Sequence, residues 1–433
     1  MEERDASTTW GVPGAGLRPL LLDAASAHAS NVVQYEDDGT VQLRHEAVGE
    51  RRIPLRRQVP CIRATFDDLN KALSRLANSP RLADGRSLRE LYDEEAARYD
   101  ELCVNAASEG RFEPDYGTYV FDPREEVLYL VAPKMWHRLA LVTSNSKLLV
   151  DPAGALSWAQ IRERLEGAVV GFAGVSVGGN ILEGWLREAR PQQVKVADPD
   201  WVELTNFNRG ERMSMRHLAQ SRAARFDPRN PYDVPRVSKA AYIAHESLLV
   251  DPYTEFFVYE QGITRDCIDR FLGGEGDEPK IDVLVEEMDD LDLKVYVREQ
   301  ARRHGVDVLM LSDFGHRAHL MWNPFRADPQ AILGHAVGDE ELLAKLAATK
   351  TGDRSKLPEF IEALCGEASF GGPFKDWLEG VGEQPTGSLP QSGATAMASG
   401  AIGGKELALH VLGHPPPPGN RIIYNLLDRS AKA

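Results

Sequence analysis

The chain has 433 residues, of which 42% are hydrophobic and 27% are charged, and this balance excludes a disordered or fibrous protein. It contains 50 lysines and arginines and 66 acidic residues, and the net charge of −16 disfavours nucleic acid and anionic membranes as partners. The four cysteines form no C-x-x-C pair, and no apolar run is long enough to span a membrane, so we expect a cytoplasmic protein with reduced thiols.

The first 150 residues are predicted to form a small α+β module. A helical periodicity runs from Ser87 to about Ala107. Two β-rich segments follow, YGTYVF and EEVLYLVAP, and the Asp-Pro turn between them predicts a hairpin. Four arginines gather in this module, and we interpret them as a solvated face rather than a binding surface: Arg51, Arg52, Arg56 and Arg57.

From residue 151 to the end, the pattern is that of a second domain in which strands alternate with helices. A capping-box sequence at residues 157–160 predicts a short helix that ends near Gly167. The predicted strands are Ala168–Ala173, Gln193–Ala197, Glu255–Tyr259, Asp282–Val285 and Asp307–Leu311. Short apolar runs of this kind indicate strands that are covered on both sides. We therefore predict an α/β fold with a Rossmann-like, mostly parallel sheet and helices on both faces.

An excursion interrupts this alternation at about residues 322–390, as an inserted lobe or a crossover segment. It contains two helical runs, GDEELLAKLAAT and KLPEFIEALCGE, and a tail rich in glycine and proline. After it, a helix of small residues, ATAMASGAIGGKELALHVLG, and a last strand at Arg421–Tyr424 resume the pattern.

A glycine-rich turn follows the first strand of this domain, where AVVGFA runs into the residues Gly174, Ser176, Gly178 and Gly179. Glycines let the backbone approach a phosphate closely, and the N-terminus of the next helix directs N–H groups toward it. After the second strand, Asp198 follows Gly174 at roughly the 20-residue separation at which an acid meets a ribose hydroxyl. These residues predict a nucleotide site, and a merely tight turn with a solvated acid is the alternative.

Three further motifs follow in order: WVELTNFNR from residue 201, RVSKA from residue 236 and EEMDD from residue 286. Together with the glycine-rich turn, they resemble the motifs of the ThiF/MoeB/HesA family, the ubiquitin-activating-type adenylyltransferases. The resemblance covers roughly residues 155–320. The segment PQSGATAMASGAIGG is also similar to the returning helix of that family.

The resemblance implies an ATP- and Mg²⁺-dependent enzyme that adenylates a carboxylate, releases pyrophosphate and works as a homodimer. Arg209, Lys239 and Mg²⁺ would oppose the negative charge that develops on the phosphates. Asp289 would hold the magnesium ion. The residues that the resemblance assigns to the nucleotide are Gly174, Ser176, Gly178, Gly179, Asp198, Asn206 and Asn208.

The chain also departs from the family pattern. Ser176 replaces a glycine, Gly210 a glutamine and Asp290 an asparagine, and a longer stretch separates the arginine from the lysine. The C-x-x-C pairs of a structural zinc site are missing. Cys365, the positional candidate for a thioester nucleophile, is better interpreted as a small buried hydrophobe. A relay of the acyl group through a cysteine is therefore disfavoured, and direct attack of a nucleophile on the adenylate stays open.

Several alternatives stay open. Asn206 and Asn208 are also typical turn residues, and the Asp289–Asp290 pair is typical of a helix cap. An NAD(P)- or FAD-binding oxidoreductase and a degraded, peptide-binding scaffold are the competing functions. The expected partner is a peptide, a small carrier protein or a small-molecule carboxylate. The N-terminal module would clamp it, and His316 and Arg317 would either orient its carboxylate or lie in a solvated loop.

Overall fold

The computed structural model describes residues 158–210, 213–214, 238–350, 356–366 and 392–426, with Leu156 and, before it, residues 8–9, 20–23, 27, 30, 32–36, 40–45, 49–57, 118–122 and 127–131. Four features of the sequence analysis lie outside the described residues. These are the helix predicted at 87–107, the serine of the predicted capping box, most of the long stretch between the Arg209 and Lys239 motifs, and nearly all of the glycine- and proline-rich tail of the excursion.

The N-terminal part of the chain contributes a six-stranded sheet in the order β2-β6-β7-β5-β4-β3. The predicted hairpin is confirmed as two antiparallel strands, and the β4–β5 hairpin beside it was not predicted. Val41, Ile53 and Phe121 lie in its apolar core, whereas Arg51 and Arg52 are exposed, as the sequence predicts. The strands are β2 (Leu20–Asp23), β3 (Val33–Tyr35), β4 (Thr40–His45), β5 (Gly49–Arg57), β6 (Thr118–Asp122) and β7 (Val127–Val131), after a short β1 (Thr8–Thr9) that belongs to the larger sheet.

The larger sheet has eight strands in the order β1-β10-β9-β8-β11-β12-β13-β14. Its central strands are all parallel, and they are the five strands that the sequence predicts. The outer strands are antiparallel to their neighbours. Besides β1, the strands are β8 (Val170–Ala173), β9 (Gln193–Ala197), β10 (Glu255–Tyr259), β11 (Val283–Glu286), β12 (Asp307–Phe314), β13 (Arg317–Asn323) and β14 (Arg421–Asn425).

Helices cover both faces of this sheet, which makes the fold a Rossmann-like α/β architecture. One apolar cluster contains side chains of α2, α3 and α8, and a second contains side chains of α4 to α7. The helices are α1 (Trp158–Gly167), α2 (Val177–Ala189), α3 (Lys239–Leu248), α4 (Ile268–Gly273), α5 (Leu291–His304), α6 (Asp339–Thr349), α7 (Lys356–Cys365) and α8 (Gly393–Val411). None of these described helices is long and apolar enough to cross a membrane.

Strand β13 was not predicted from the sequence, and its discovery moves the start of the excursion beyond Asn323. Strand β12 continues to Phe314, which pairs with Arg317 across a two-residue turn. Gly315 has a φ of 65° at the first turn position, where glycine suits a tight hairpin. Because β13 lies between two other strands and is buried along nearly its whole length, its side chains do not alternate between apolar and polar. The alternation that would have revealed it is therefore absent.

Helices α2 and α8 pack very closely through glycines. A Cβ at Gly184 would lie 2.5 Å from the carbonyl oxygen of Gly400, and a Cβ at Gly404 would lie 2.4 Å from the carbonyl carbon of Gly184. Only residues without a side chain permit this approach. The helix of small residues that the sequence predicts is confirmed, and the structure shows that it packs against the helix after the glycine-rich turn.

Candidate functional site

The glycine-rich turn lies at the switch point of the parallel sheet. The chain passes from β8 outward to β9 and β10 on one side, and then to β11 and β12 on the other. Gly174 follows β8 with a φ of 91°, and a Cβ there would lie 2.5 Å from the carbonyl oxygen of Glu287, just beyond β11. Ligands of open α/β sheets bind in the crevice at such a point. The turn therefore occupies the place where a nucleotide is expected.

The start of α2 leaves polar groups available at this crevice. Ser176 precedes the helix, yet its hydroxyl makes no capping hydrogen bond, and its Oγ is buried without a hydrogen-bond partner in the described part of the chain. Gly178 and Gly179 are buried in the first turn of the helix. The first N–H groups of a helix have no partner within it, and a phosphate is a common acceptor for them. These groups fit a bound phosphate.

Asp198 fixes the glycine-rich turn to the end of β9. It is 4% exposed, its Oδ2 accepts a hydrogen bond from the Val175 N–H at 2.8 Å, and its Oδ1 accepts one from the Asp200 N–H at 2.9 Å. Burial raises the pKa of Asp198, while the charge of Lys239 and the two N–H groups oppose that rise. The observed role is to hold the loop, and ribose binding by Asp198 stays a prediction.

Lys239 is the first residue of α3, and its ammonium group pairs with Asp200, just after β9. It is 6% exposed, its Nζ lies 2.9 Å from Asp200 Oδ2, and its own N–H donates to the Asp200 carbonyl at 2.9 Å. Ser238 caps the helix by accepting a hydrogen bond from Ala241 N–H. Because Asp200 follows Asp198 closely, Lys239 is connected to the glycine-rich turn through two successive acids.

Arg209 is connected to the same turn through α2. Its carbonyl accepts a hydrogen bond from Asn180 Nδ2 at 2.8 Å, and Asn180 lies in the first turn of that helix. Its guanidinium donates to Asn208 Oδ1 at 3.0 Å and to a main-chain carbonyl, while its Nε is buried without a hydrogen-bond partner among the described residues. Asn206 is 3% exposed and closes the turn by accepting a main-chain hydrogen bond with its Oδ1. The turn role considered for Asn206 is thus observed.

The EEMDD motif lies beside Gly174, since the close approach at that glycine is to Glu287. Asp290 caps α5 by accepting a hydrogen bond from the Leu293 N–H at 2.9 Å, which confirms the cap interpretation for this residue. Asp289 is exposed. Within the ranges described, no three His, Cys, Asp or Glu side chains are grouped to hold a metal ion. Mg²⁺ is usually held by one or two carboxylates together with phosphates and water, and Asp289 fits that pattern.

Two acids at this edge of the sheet were not predicted from the sequence. Glu287 Oε1 accepts a hydrogen bond from the Leu311 N–H at 2.5 Å, and Asp313 Oδ1 accepts one from Ser399 Oγ at 2.5 Å. Burial raises the pKa of Glu287 well above that of an exposed carboxyl, and burial raises the pKa of Asp313 to about 6. Shifted acids beside a crevice mark a candidate functional site.

The remaining candidates lie apart from one another. His316 and Arg317 form the tip of the β12–β13 hairpin, which Thr395 Oγ1 holds to α8 by donating to the Gly315 carbonyl at 2.8 Å. Orientation of a substrate carboxylate by this tip stays a prediction. Cys365 is 2% exposed, and burial raises the pKa of its thiol to about 12. The interpretation of Cys365 as a small buried hydrophobe agrees with that setting.

No known protein family matches the sequence of the chain. A curated relative is MT1398, an uncharacterised protein of Mycobacterium tuberculosis (strain CDC 1551 / Oshkosh), which is 28% identical over 239 residues. The match covers 54% of this chain and 30% of MT1398, so it spans less than a third of the relative's length.

Solved structures with a similar fold include PaaA and MccB. The crystal structure of PaaA has a TM-score of 0.43 at 14% identity and covers 67% of this chain and 79% of its own. E. coli MccB with AMPCPP and MccA has a TM-score of 0.37 at 14% identity, and the match covers 62% of this chain and 63% of MccB. The microcin C7 biosynthetic enzyme MccB with N-formylated MccA has a TM-score of 0.36 at 12% identity, covering 62% and 64%.

Proposed function

We propose that the chain is an ATP-dependent adenylyltransferase that converts a carboxylate into an acyl-adenylate and releases pyrophosphate. The observation that carries the proposal is that two basic residues from separate motifs are tied by hydrogen bonds to the elements around the glycine-rich turn at the switch point. Arg209 is connected to that turn through Asn180, and Lys239 is connected to it through Asp200 and Asp198. A dinucleotide oxidoreductase has no evident use for this pair.

This reaction mainly requires the protein to position the carboxylate and the nucleotide and to supply positive charge. When a carboxylate oxygen attacks the α-phosphate, negative charge grows on the phosphorus centre and on the departing pyrophosphate. Arg209 and Lys239 would bind these oxygens, with Lys239 exchanging Asp200 for a phosphate oxygen. The N–H groups at the start of α2 and the hydroxyl of Ser176 would donate hydrogen bonds to the remaining phosphate oxygens. Mg²⁺, when bound at Asp289, would supply further positive charge.

The carboxylate belongs, in this proposal, to a peptide, a small carrier protein or a small molecule, and the first 150 residues serve as its clamp. A buried contact supports the coupling of that region to the site. Asp122 Oδ1 at the end of β6 lies 3.3 Å from Nε2 of His245 in α3, and both side chains are 1% exposed. Since α3 begins with Lys239, the six-stranded sheet is in contact with the helix that carries the phosphate-binding lysine.

Calorimetry with ATP, AMP, NAD and FAD, each with and without Mg²⁺, tests the proposal. We expect ATP to bind and Mg²⁺ to strengthen its binding. Binding of NAD without binding of ATP would favour the oxidoreductase and contradict the proposal. ATP–pyrophosphate exchange that depends on a pool of synthetic peptides with free carboxyl termini would then demonstrate the first chemical step. A chain that binds peptides from the pool but no nucleotide would be a scaffold.

A further inference from the structure

Asp313, at the carboxyl end of β12, is a carboxylate that uses only one of its two oxygens. Its Oδ1 is held by Ser399 Oγ, whereas its Oδ2 is buried without a hydrogen-bond partner in the part of the chain that the structure describes. A buried acceptor without a partner costs free energy, and such a group in a folded protein often has a catalytic reason. Among the described residues, the geometry thus leaves one oxygen of Asp313 open to a donor on a bound molecule.

A short series of contacts positions Asp313 next to the nucleotide crevice. Ser399 is followed in α8 by Gly400, where a Cβ would lie 2.7 Å from both the Cβ and the carbonyl oxygen of Asn180. Asn180 lies in the first turn of α2 and holds the carbonyl of Arg209. The hairpin that carries Asp313 is tied to α8 a second time, by Thr395. Asp313 is therefore tied to α8, which packs against the helix that follows the glycine-rich turn.

We propose that Asp313 is the base that takes the proton of the nucleophile when this nucleophile displaces AMP from the acyl-adenylate. The inference rests on the proposed function and names the second half of the reaction. A bond forms between the nitrogen or oxygen of the nucleophile and the acyl carbon. The bond from that carbon to the phosphate oxygen breaks, and AMP leaves with its electron pair. The proton of the nucleophile passes to Oδ2 of Asp313. The acceptor is accordingly an amine, an amide or a hydroxyl group.

The surroundings of Asp313 suit a base that works near neutral pH. Burial raises its pKa to about 6, and the hydrogen bond from Ser399 acts in the opposite direction. The groups that act on Asp313 are the uncharged Ser399 on α8 and the carboxyl group of Glu287 beyond the end of β11. At pH 7 a carboxyl with this pKa is ionised, and it is more basic than an exposed aspartate.

The cysteines that the structure describes do not offer an alternative route. Cys365 is the buried last residue of α7, and burial raises the pKa of its thiol to about 12, so the thiol is not ionised at neutral pH. Cys267 is 4% exposed and precedes α4, where its Sγ contacts the main chain of Thr264 and Gly262. Transfer of the acyl group to either thiol would require the local structure to open.

The experiment separates the two half-reactions by the choice of nucleophile. The protein is given ATP, Mg²⁺ and a pool of synthetic hexapeptides with free carboxyl termini, and products are identified by mass spectrometry. Hydroxylamine is largely unprotonated at pH 7.5 and attacks an acyl-adenylate without a base, which gives peptidyl hydroxamates. Glycinamide, an amine that benefits from a base, gives peptidyl amides. The ratio of amide to hydroxamate therefore measures how much the base contributes to the second half-reaction, independently of the rate of adenylation.

We expect Asp313→Asn to lower this ratio about 100-fold, the size of a typical general-base contribution, and Asp313→Glu to restore part of it. Ser399→Ala removes a hydrogen bond to the ionised form, so it should move the midpoint of the pH profile upward from about 6. Asp328→Asn, the same change at an exposed acid that caps a turn, should leave the ratio as in the wild type.

Two results would overturn the inference while leaving the proposed function standing. One is an equal ratio of amide to hydroxamate in Asp313→Asn and the wild type. The other is a wild-type protein that forms hydroxamates but forms no amide from glycinamide. A wild-type protein that yields no hydroxamate and binds no ATP would refute the proposed function itself, and the role of Asp313 with it. Thermal unfolding of each variant separates loss of the base from loss of the fold.

Discussion

Lys239 and Asp200 are joined twice, once through their side chains and once through the backbone. The Nζ of Lys239 lies 2.9 Å from Asp200 Oδ2, and the N–H of Lys239 donates to the Asp200 carbonyl at 2.9 Å. The backbone bond fixes where α3 begins, whereas the side-chain pair involves an acid that is 65% exposed. An ion pair with an exposed acid is weak, so a phosphate can replace Asp200 at little cost while the helix stays in place.

This arrangement predicts opposite effects for the two partners. Lys239→Met should weaken ATP binding about 10- to 100-fold, because a charge-assisted hydrogen bond to phosphate contributes about 1.5–3 kcal/mol. Asp200→Asn should strengthen ATP binding severalfold, because it removes the acid that competes for the ammonium group. Calorimetry measures both, with Lys280→Met as a control whose lysine bonds a carbonyl at the end of α5. Equal affinities in Lys239→Met and the wild type would contradict the assignment.

Arg209→Ala should abolish adenylate formation without unfolding the protein. Among the described residues, the guanidinium of Arg209 bonds only to neighbours in its own turn, Thr205 and Asn208, so its loss should disturb little of the surrounding structure. Arg326→Ala is the matched control, since Arg326 bonds to Asp282, just before β11, at the amino-terminal end of the parallel strands and away from the candidate site. ATP–pyrophosphate exchange with the peptide pool and thermal unfolding provide the two measurements. Normal exchange in Arg209→Ala would reject the role.

Gly174→Ala should destabilise the fold by about 1–3 kcal/mol and also disturb ATP binding. The φ of 91° is unfavourable for alanine, and the new Cβ would lie 2.5 Å from the Glu287 carbonyl oxygen. Gly276 also has a positive φ, 60°, but a Cβ there would meet nothing within 4 Å. Gly276→Ala should therefore cost only about 1 kcal/mol. Urea unfolding of both variants separates the steric effect from the backbone effect.

The central strands could be predicted because each is a short apolar run that is buried on both faces. Gln193–Ala197 and Glu255–Tyr259 are observed with the predicted bounds, since a polar or turn residue ends the run at each side. The strand at Arg317 could not be predicted in this way. His319 and Asn323 are almost fully buried within it, so its polar residues gave the stretch the composition of a loop.

The candidate site could be predicted in part, where its residues follow strands whose ends meet. Asp198 and Gly174 are such residues, and the structure joins them through Val175. Asp313 could not be found from the sequence because its character comes from a distant partner. Ser399 lies 86 residues further along the chain, and the packing of α8 brings it to the acid. Local sequence carries no signal for a pKa that burial by another element determines.

A buried ion pair beneath the site predicts a large loss of stability. Glu286 and Arg298 are both fully buried, with Oε2 and NH2 3.0 Å apart, and Lys294 lies 2.8 Å from the other oxygen of Glu286. Arg298→Met should cost about 3–5 kcal/mol, because it leaves a buried charge with only part of its compensation. Lys356→Met breaks an exposed pair with Glu359 and should cost at most about 1 kcal/mol. Comparable losses in both variants would contradict this.

Two histidines, the buried His319 in β13 and the partly buried His335, predict that the protein loses stability in acid. Burial lowers the pKa of His335 to about 3 and that of His319 to about 4, and the charges of Arg298 and Arg421 act in the same direction. In the unfolded chain a histidine has a pKa of about 6.5, so below that pH the unfolded state binds protons that the folded state excludes. Stability is therefore present above pH 6.5 and is lost as the pH falls toward 4.

Each histidine should contribute a loss of about 1.4 kcal/mol per pH unit in this range. Asp313 acts in the opposite sense, because its raised pKa of about 6 lets the folded state bind a proton first. His335→Asn should therefore reduce the slope of the unfolding free energy between pH 6.5 and pH 5 by about 1.4 kcal/mol per unit. His414→Asn, at a partly buried histidine after α8, is the control. Since the substitution itself changes stability, the slope and not the absolute value is compared, and identical slopes in His335→Asn and the wild type would show that His335 is charged in the folded protein.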